Sequence, residues 1–139
     1  MFTLKILLIV AGVIHLGIVS AGITMTRVLD WRTNLASLSG LTRHVIWTHG
    51  AFVLMTIITF GAVSLAFPSE LASGTPLARA ICAFIAGFWG IRLLIQFFLF
   101  DARPYLTSRV LAIGYHGLTV AFAYFTIVYT LAAMLPARP

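Results

Sequence analysis

Four apolar stretches, each longer than the roughly 20 residues that an α-helix needs to cross a bilayer, dominate this chain. They are residues 4–25, 44–67, 77–100 and 109–135. A segment in hydrocarbon must satisfy its own backbone hydrogen bonds, so stretches of this kind have few stable folds besides the helix. The sequence therefore predicts an all-α fold, an up-down four-helix transmembrane bundle that forms a single integral membrane domain over residues 1–139.

The scarcity of charged residues supports the same fold. Only 9% of the 139 residues are charged and 61% are hydrophobic, whereas a soluble domain has about 25% charged residues. The net charge of +6 comes mostly from Lys and Arg beside the apolar stretches, where they meet lipid headgroups, and nucleic-acid binding is not expected. No Asp or Glu lies within a predicted span, which argues against hydrolytic or di-iron chemistry. The near absence of mass outside the four spans argues against a stand-alone enzyme.

The longest connection, residues 26–43, carries an amphipathic pattern. Val28, Trp31, Leu35 and Leu38 recur at helical spacing with polar residues between them. This pattern predicts a short interfacial helix between the first and second spans. A helix that docks on a partner protein leaves the same pattern.

The distribution of basic residues predicts the orientation. The first and third connections are flanked by Arg27, Arg32, Arg43, Arg103 and Arg109, and the opposite side carries Lys5, Arg79 and Arg138. Because cytoplasmic loops are enriched in Lys and Arg, this excess places both termini on the non-cytoplasmic side.

Five polar side chains within the spans are the candidate functional residues, since polar groups in hydrocarbon are costly. They are His15, His49, Arg92, Gln96 and His116. At about 1.5 Å per residue, Gln96 and His49 lie roughly 6–8 Å from the expected cytoplasmic ends, and Arg92 and His116 roughly 10–12 Å. These four residues therefore share a level within about one helical turn, while His15 lies near the midplane at about 15 Å.

Two histidines at matched depth on different helices predict a haem b or related tetrapyrrole. Neutral imidazole is a good axial ligand for haem iron, so His49 and His116 are the candidate metal ligands. Arg92 would pair with the carboxylate of the cofactor and Gln96 would add a hydrogen bond, and His15 is included among the candidate cofactor-binding residues. The function would be electron transfer by a non-catalytic subunit, with a quinone as one candidate electron partner.

Other interpretations explain the same residues. Each histidine can hold the bundle together by bonding a neighbouring helix, as in a cofactor-free accessory subunit. Arg92 can reach lipid phosphate, bond backbone carbonyls or hold an anionic ligand, and the last of these favours a small lipid or anion transporter. Because four spans leave almost no mass outside the bilayer, we expect the chain to assemble with other membrane subunits or with itself.

One segment carries a family resemblance. Residues 88–105, FWGIRLLIQFFLFDARPY, followed by Gly114-Tyr115-His116, resemble uncharacterised bacterial four-helix membrane proteins. The resemblance covers the third and fourth spans and implies no activity, ligand or partner. It implies a bacterial source, and hence the inner membrane as the location.

Overall fold

Six helices make up the part of the chain that the computed structural model describes, residues 2–99 and 108–136. The helices are α1 (Phe2–Val28), α2 (Trp31–Asn34), α3 (Gly40–Ala66), α4 (Pro68–Leu71), α5 (Pro76–Phe98) and α6 (Arg109–Met134). By length and composition, α1, α3, α5 and α6 can each cross a membrane. The all-α four-helix transmembrane bundle is therefore confirmed.

The helix ends differ from the predicted spans by a few residues. The largest differences are that α1 continues to Val28 and that α3 begins at Gly40, where the hydroxyl of Ser39 accepts from the backbone N–H of Thr42 at 3.3 Å. Hydropathy marks where apolar residues stop, whereas a cap marks where the backbone geometry changes. The last residue of the predicted third span, residue 100, lies outside the described residues.

The predicted interfacial helix is present but shorter than its pattern. It is the four-residue α2, because Val28 still belongs to α1 and Asp30 has a left-handed backbone (φ 43°) that separates the two helices. Trp31 of α2 packs against Trp47 of α3 with ring centroids 5.9 Å apart. The apolar side of this connection therefore lies partly against the bundle.

The long helices pack in the order α3, α1, α6, α5. The fourth side of the bundle, between α3 and α5, is bridged by the ring of Phe60, which contacts the rings of Phe84 and Phe88. We call the end with α2 the basic end, and the opposite end, where α4 packs against α1, α3 and α5, the α4 end. The side chain of Arg79 closes the α4 end of the α5–α6 pair, because its Nε donates to the carbonyl of Ala133 at 2.9 Å.

Burial divides the bundle into two halves. The closed half (residues 2–18, 57–66, 76–89 and 122–134) contains the packed core, whereas the open half (residues 19–28, 40–56, 90–98 and 109–121) is little buried. No described residue of α1 after Ile18, of α3 before Ile57 or of α6 before Phe122 is buried. The helices thus share a packed core toward the α4 end, whereas their faces are little covered toward the basic end.

A glycine contact lets α1 and α3 approach closely in the closed half. A Cβ atom added at Gly61 would lie 3.0 Å from the Cβ of His15, and one added at Gly12 would lie 2.6 Å from the Cγ of Leu65. Small residues at a crossing permit such an approach between membrane helices. The contact presses the backbone of α3 against the turn of α1 that carries His15.

Candidate functional site

His15 lies at the centre of the closed half and is fully buried. Its Nδ1 donates to the carbonyl of Ala11 at 2.7 Å, and its Nε2 accepts from the indole N–H of Trp89 at 3.0 Å. An indole nitrogen only donates, so the bond to Trp89 fixes the neutral Nδ1–H tautomer. Both ring nitrogens are therefore engaged by protein groups, and neither is left for a cofactor.

Aromatic rings from the other three long helices surround His15. Phe125 stacks on the imidazole with centroids 4.0 Å apart, and Phe60, Trp89 and Tyr129 meet it edge-on at 5.5–6.1 Å. These contacts join α1 to α3, α5 and α6 at a single level. His15 is accordingly placed to hold the four helices in register, which is one of the alternatives that the sequence left open.

A second polar pair lies nearer the α4 end of the same core. The hydroxyl groups of Ser64 on α3 and Tyr129 on α6 are hydrogen-bonded, and both residues are fully buried. Ser64 also donates to the carbonyl of Phe60 at 2.8 Å, so Tyr129 is the donor to Ser64. This pair joins two helices that lie diagonally across the bundle.

Arg92 and Gln96 lie in the open half, on the side of α5 that faces α6. The guanidinium carbon of Arg92 lies 5.6 Å from the centroid of the Phe122 ring, a cation–π distance. The side-chain amide of Gln96, which is 4% exposed, donates to the hydroxyl of Thr119, and Thr119 donates to the carbonyl of Tyr115 at 3.0 Å. Gln96 thereby ties α5 to α6 where the rest of the open half is loosely covered.

His49 is exposed on α3 in the open half. Its Nδ1 donates to the carbonyl of Val45 at 2.9 Å, which leaves the lone pair on Nε2. His49 precedes Phe60 by about three helical turns and so lies on the same side of α3 as this residue, the side that faces α5. The imidazole nitrogen that remains available therefore borders the gap between α3 and α5.

His116 is exposed on α6, beside the ring of Tyr115 at 5.5 Å. It precedes Phe125 by about two and a half helical turns, so it lies on the face of α6 opposite the one that stacks on His15. His49 and His116 thus face different sides of the bundle, and one copy of the chain does not bring them together. Their assignment as axial ligands stays a prediction.

No group of three or more His, Cys, Asp or Glu side chains within residues 2–99 and 108–136 is arranged to hold a metal ion. The arrangement offers hydrogen bonding and aromatic packing in the closed half and an exposed imidazole, that of His49, in the open half, where the amide of Gln96 is bonded to Thr119 and the guanidinium of Arg92 lies over Phe122. Arg92 and Gln96 stay predicted ligand contacts.

Sequence reasoning missed the parts played by Trp89, Ser64 and Tyr129. The position of Trp89 was the available signal, because tryptophan in membrane helices is enriched at the interfaces and this one lies near the middle of its span. A buried indole N–H needs an acceptor, and His15 is the polar side chain at that depth. Ser64 and Tyr129 have no comparable signal, since both residue types are common in membrane helices without a cross-helix partner.

Comparison with protein-family models, with curated proteins and with solved structures finds no match for this chain.

Proposed function

We propose that this chain is a small, non-catalytic integral membrane subunit that assembles with further membrane protein through the open half of its bundle. The partner is a second copy or another membrane subunit. In this proposal the protein lies in a bacterial inner membrane with both termini on the non-cytoplasmic side, as the basic residues around α2 favour.

The observation that carries the proposal is the exposure of His49 and His116 on helices that span the membrane. Polar side chains within a bilayer nearly always face protein or a water-filled cavity, because an imidazole loses its hydrogen bonds in hydrocarbon. Both residues lie in the half where no described residue of α3 or α6 is buried. Further protein over these faces supplies the missing partners and accounts for the lack of buried residues there.

Site-specific photocrosslinking in intact membranes tests this assignment. A benzophenone amino acid is placed at Phe52 or at Ile113, which are 59% and 72% exposed and lie about one helical turn from His49 and His116. Leu131, 52% exposed in the closed half, is the matched control position. We expect discrete protein crosslinks from Phe52 and Ile113 and lipid-dominated reaction at Leu131.

Equal yields of protein crosslinks at the three positions, or no protein crosslinks at Phe52 and Ile113, would contradict the proposal. A crosslinked band at twice the mass of the chain identifies self-assembly. A band of another mass, sensitive to deletion of one gene, identifies a different subunit.

The tautomer of His49 favours a second candidate function, the binding of haem b for electron transfer. A histidine that ligates a metal usually donates its other ring N–H to a carbonyl or carboxylate, as His49 does to Val45. Because His49 and His116 face different sides of the bundle, two-histidine ligation is expected between copies, with His49 from one and His116 from the next.

A reduced-minus-oxidised visible spectrum of protein purified in mild detergent tests the haem candidate. An α-band of a b-type haem in the oligomer that disappears in His49→Ala and in His116→Ala supports it. A featureless spectrum after expression with added haem precursor, or a band retained in both variants, contradicts it and leaves the accessory subunit.

A further inference from the structure

An apolar groove of about 440 Å³ lies between α3 and α5, toward the α4 end. Thr59, Phe60 and Val63 line one side, and the other side is lined by Ala80, Ile81, Phe84 and Ile85. Its volume falls within the range of roughly 300–1,000 Å³ that is usual for small-molecule sites. No helix of the described chain covers the groove, so it opens sideways into the bilayer.

The groove exists because α3 and α5 are held apart. Along the other three sides of the bundle the long helices pack directly, whereas here the Phe60 ring stands edge-on against Phe84 and Phe88 at 5.9 and 5.2 Å. The ring of Phe60 is 6% exposed and also meets the imidazole of His15 edge-on, so it is held in place. It forms the floor of the groove and keeps α3 and α5 apart.

The lining suits hydrocarbon, because it offers no free hydrogen-bond donor and at most one acceptor. Its one hydroxyl, that of Thr59, already donates to the carbonyl of Met55 at 2.9 Å. Transfer of a hydroxyl or amide into such a groove would cost about 1–3 kcal/mol without a partner. A headgroup, a sugar or a quinone ring is therefore excluded from the groove itself, and the occupant there is an alkyl chain.

The position of the groove matches a lipid chain better than a protein helix. Its lining spans roughly 8 Å along α5, at a depth of roughly 5–14 Å from the helix ends near α4, and so lies within one leaflet of about 15 Å. A docked helix uses anchors over about two turns, roughly 11 Å, and an interaxial distance of 8–10 Å. The groove is too short for those anchors, whereas an acyl chain of a lipid in the same leaflet passes through it along the membrane normal.

We propose that the groove between α3 and α5 is a specific binding site for one acyl chain of a phospholipid from the leaflet at the α4 end. The chain lies on the ring of Phe60, between the β-branched side chains of Val63 and Ile81. The lipid completes the fourth side of the bundle, where α3 and α5 contact each other through the ring of Phe60. Its headgroup lies outside the groove, above α4, so the site selects for the chain and not for the headgroup.

Photolabelling in nanodiscs of phosphatidylcholine tests the site. The full chain is reconstituted with a small fraction of phosphatidylcholine that carries a diazirine midway along one acyl chain, irradiated, and mapped by mass spectrometry. We expect labelling of residues 59–63 and 80–85 to exceed several-fold that of Val120, which is 69% exposed on a simple lipid-facing surface. Uniform labelling of all exposed faces would reduce the groove to ordinary lipid contact and overturn the proposal.

Two filling variants and a matched control sharpen the result. Ala80→Trp and Thr59→Trp fill the groove from opposite sides and should each reduce its labelling several-fold. Ala83→Trp adds the same ring at an exposed position of α5 that does not line the groove, and it should leave the labelling unchanged. Undiminished labelling in both filling variants would contradict the proposal.

Two competition arms identify the occupant. Unlabelled phosphatidylcholine and phosphatidylglycerol should dilute the label equally, because the groove recognises the chain. Displacement by a long-chain isoprenoid quinone at a few mole per cent would replace the phospholipid by a quinone tail. Crosslinks from the groove to a second copy of this chain would replace it by a protein contact, and either result overturns the assignment to a phospholipid.

Discussion

The indole nitrogen of Trp89 donates to Nε2 of His15 at 3.0 Å, and this bond joins α5 to α1 across the centre of the closed half. The opposite ring nitrogen of His15 is held by the carbonyl of Ala11. A fully satisfied imidazole in the middle of a membrane bundle has no polar group left for a ligand. It constrains how the helices pack, because the bond to Trp89 forms only when α1 and α5 have one particular rotation about their axes.

Trp89→Phe should destabilise the bundle. The substitution keeps most of the aromatic contact area but leaves Nε2 of His15 buried without a donor, at a cost of about 1–2 kcal/mol. Thermal unfolding in detergent measures the effect, with Trp47→Phe as a control because Trp47 is 43% exposed. In a double-mutant cycle with His15→Leu we expect the two substitutions to be less than additive; full additivity would mean that the bond contributes nothing.

The Ser64–Tyr129 pair predicts an asymmetry between two conservative substitutions. Tyr129→Phe leaves Ser64 still donating to the carbonyl of Phe60, so its cost should be small, about 0.5–1 kcal/mol. Ser64→Ala leaves the fully buried hydroxyl of Tyr129 without its partner and should cost about 1–3 kcal/mol. Unfolding free energies of the two variants decide the matter, and the reverse order would show that Tyr129 has another acceptor.

Replacing glycine by alanine should lower the stability of the protein where α1 and α3 cross closely and should not do so on an exposed helix surface. Gly61→Ala brings a methyl group 3.0 Å from the Cβ of His15, so α1 and α3 must move apart, at a cost of about 1–3 kcal/mol. Gly17→Ala meets nothing within 4 Å and should be neutral or stabilising by up to about 1 kcal/mol, because alanine favours the helix. Equal melting temperatures for the two variants would argue against the close contact of α1 with α3.

If the purified protein carries a haem, replacing the buried His15 and replacing the exposed His49 should affect the haem spectrum differently. His15→Leu should retain the α-band at full intensity per folded protein, since both nitrogens of His15 are engaged within the bundle. His49→Leu should abolish the band, because Nε2 of His49 carries the available lone pair. Loss of the band in a folded His15→Leu protein would mean that the His15–Trp89 bond opens to admit the iron.

Much of the fold follows from hydropathy alone, because a span in lipid has one stable backbone geometry. The boundaries follow less well: Asp30 ends the helical pattern of residues 26–43 by a left-handed turn that no apolar periodicity reveals. Helix order was not predictable either, since four antiparallel helices with short connections can be arranged in several ways. The position of α1 between α3 and α6 is set by side-chain contacts such as that of His15 with Phe125.

The depth of a residue along its helix predicts the half of the bundle in which it lies, but it does not predict the side of the bundle that it faces. His49 and His116 do lie in the same half of the bundle, as their distances from the span ends predict, but they face different sides. The angular position of a residue on its helix shows which side of the bundle it faces only when the neighbouring helices are known. The Gln96–Thr119 bond could not be predicted from depth either, because it depends on which faces α5 and α6 turn toward each other.

Assembly through the open half can be measured as the mass of the particle that holds the chain when native membranes are extracted into polymer-bounded nanodiscs without detergent. We expect particles that contain more than one protein chain, either two or more copies or one copy with another subunit. Particles that contain a single copy of this chain and lipid alone would contradict it.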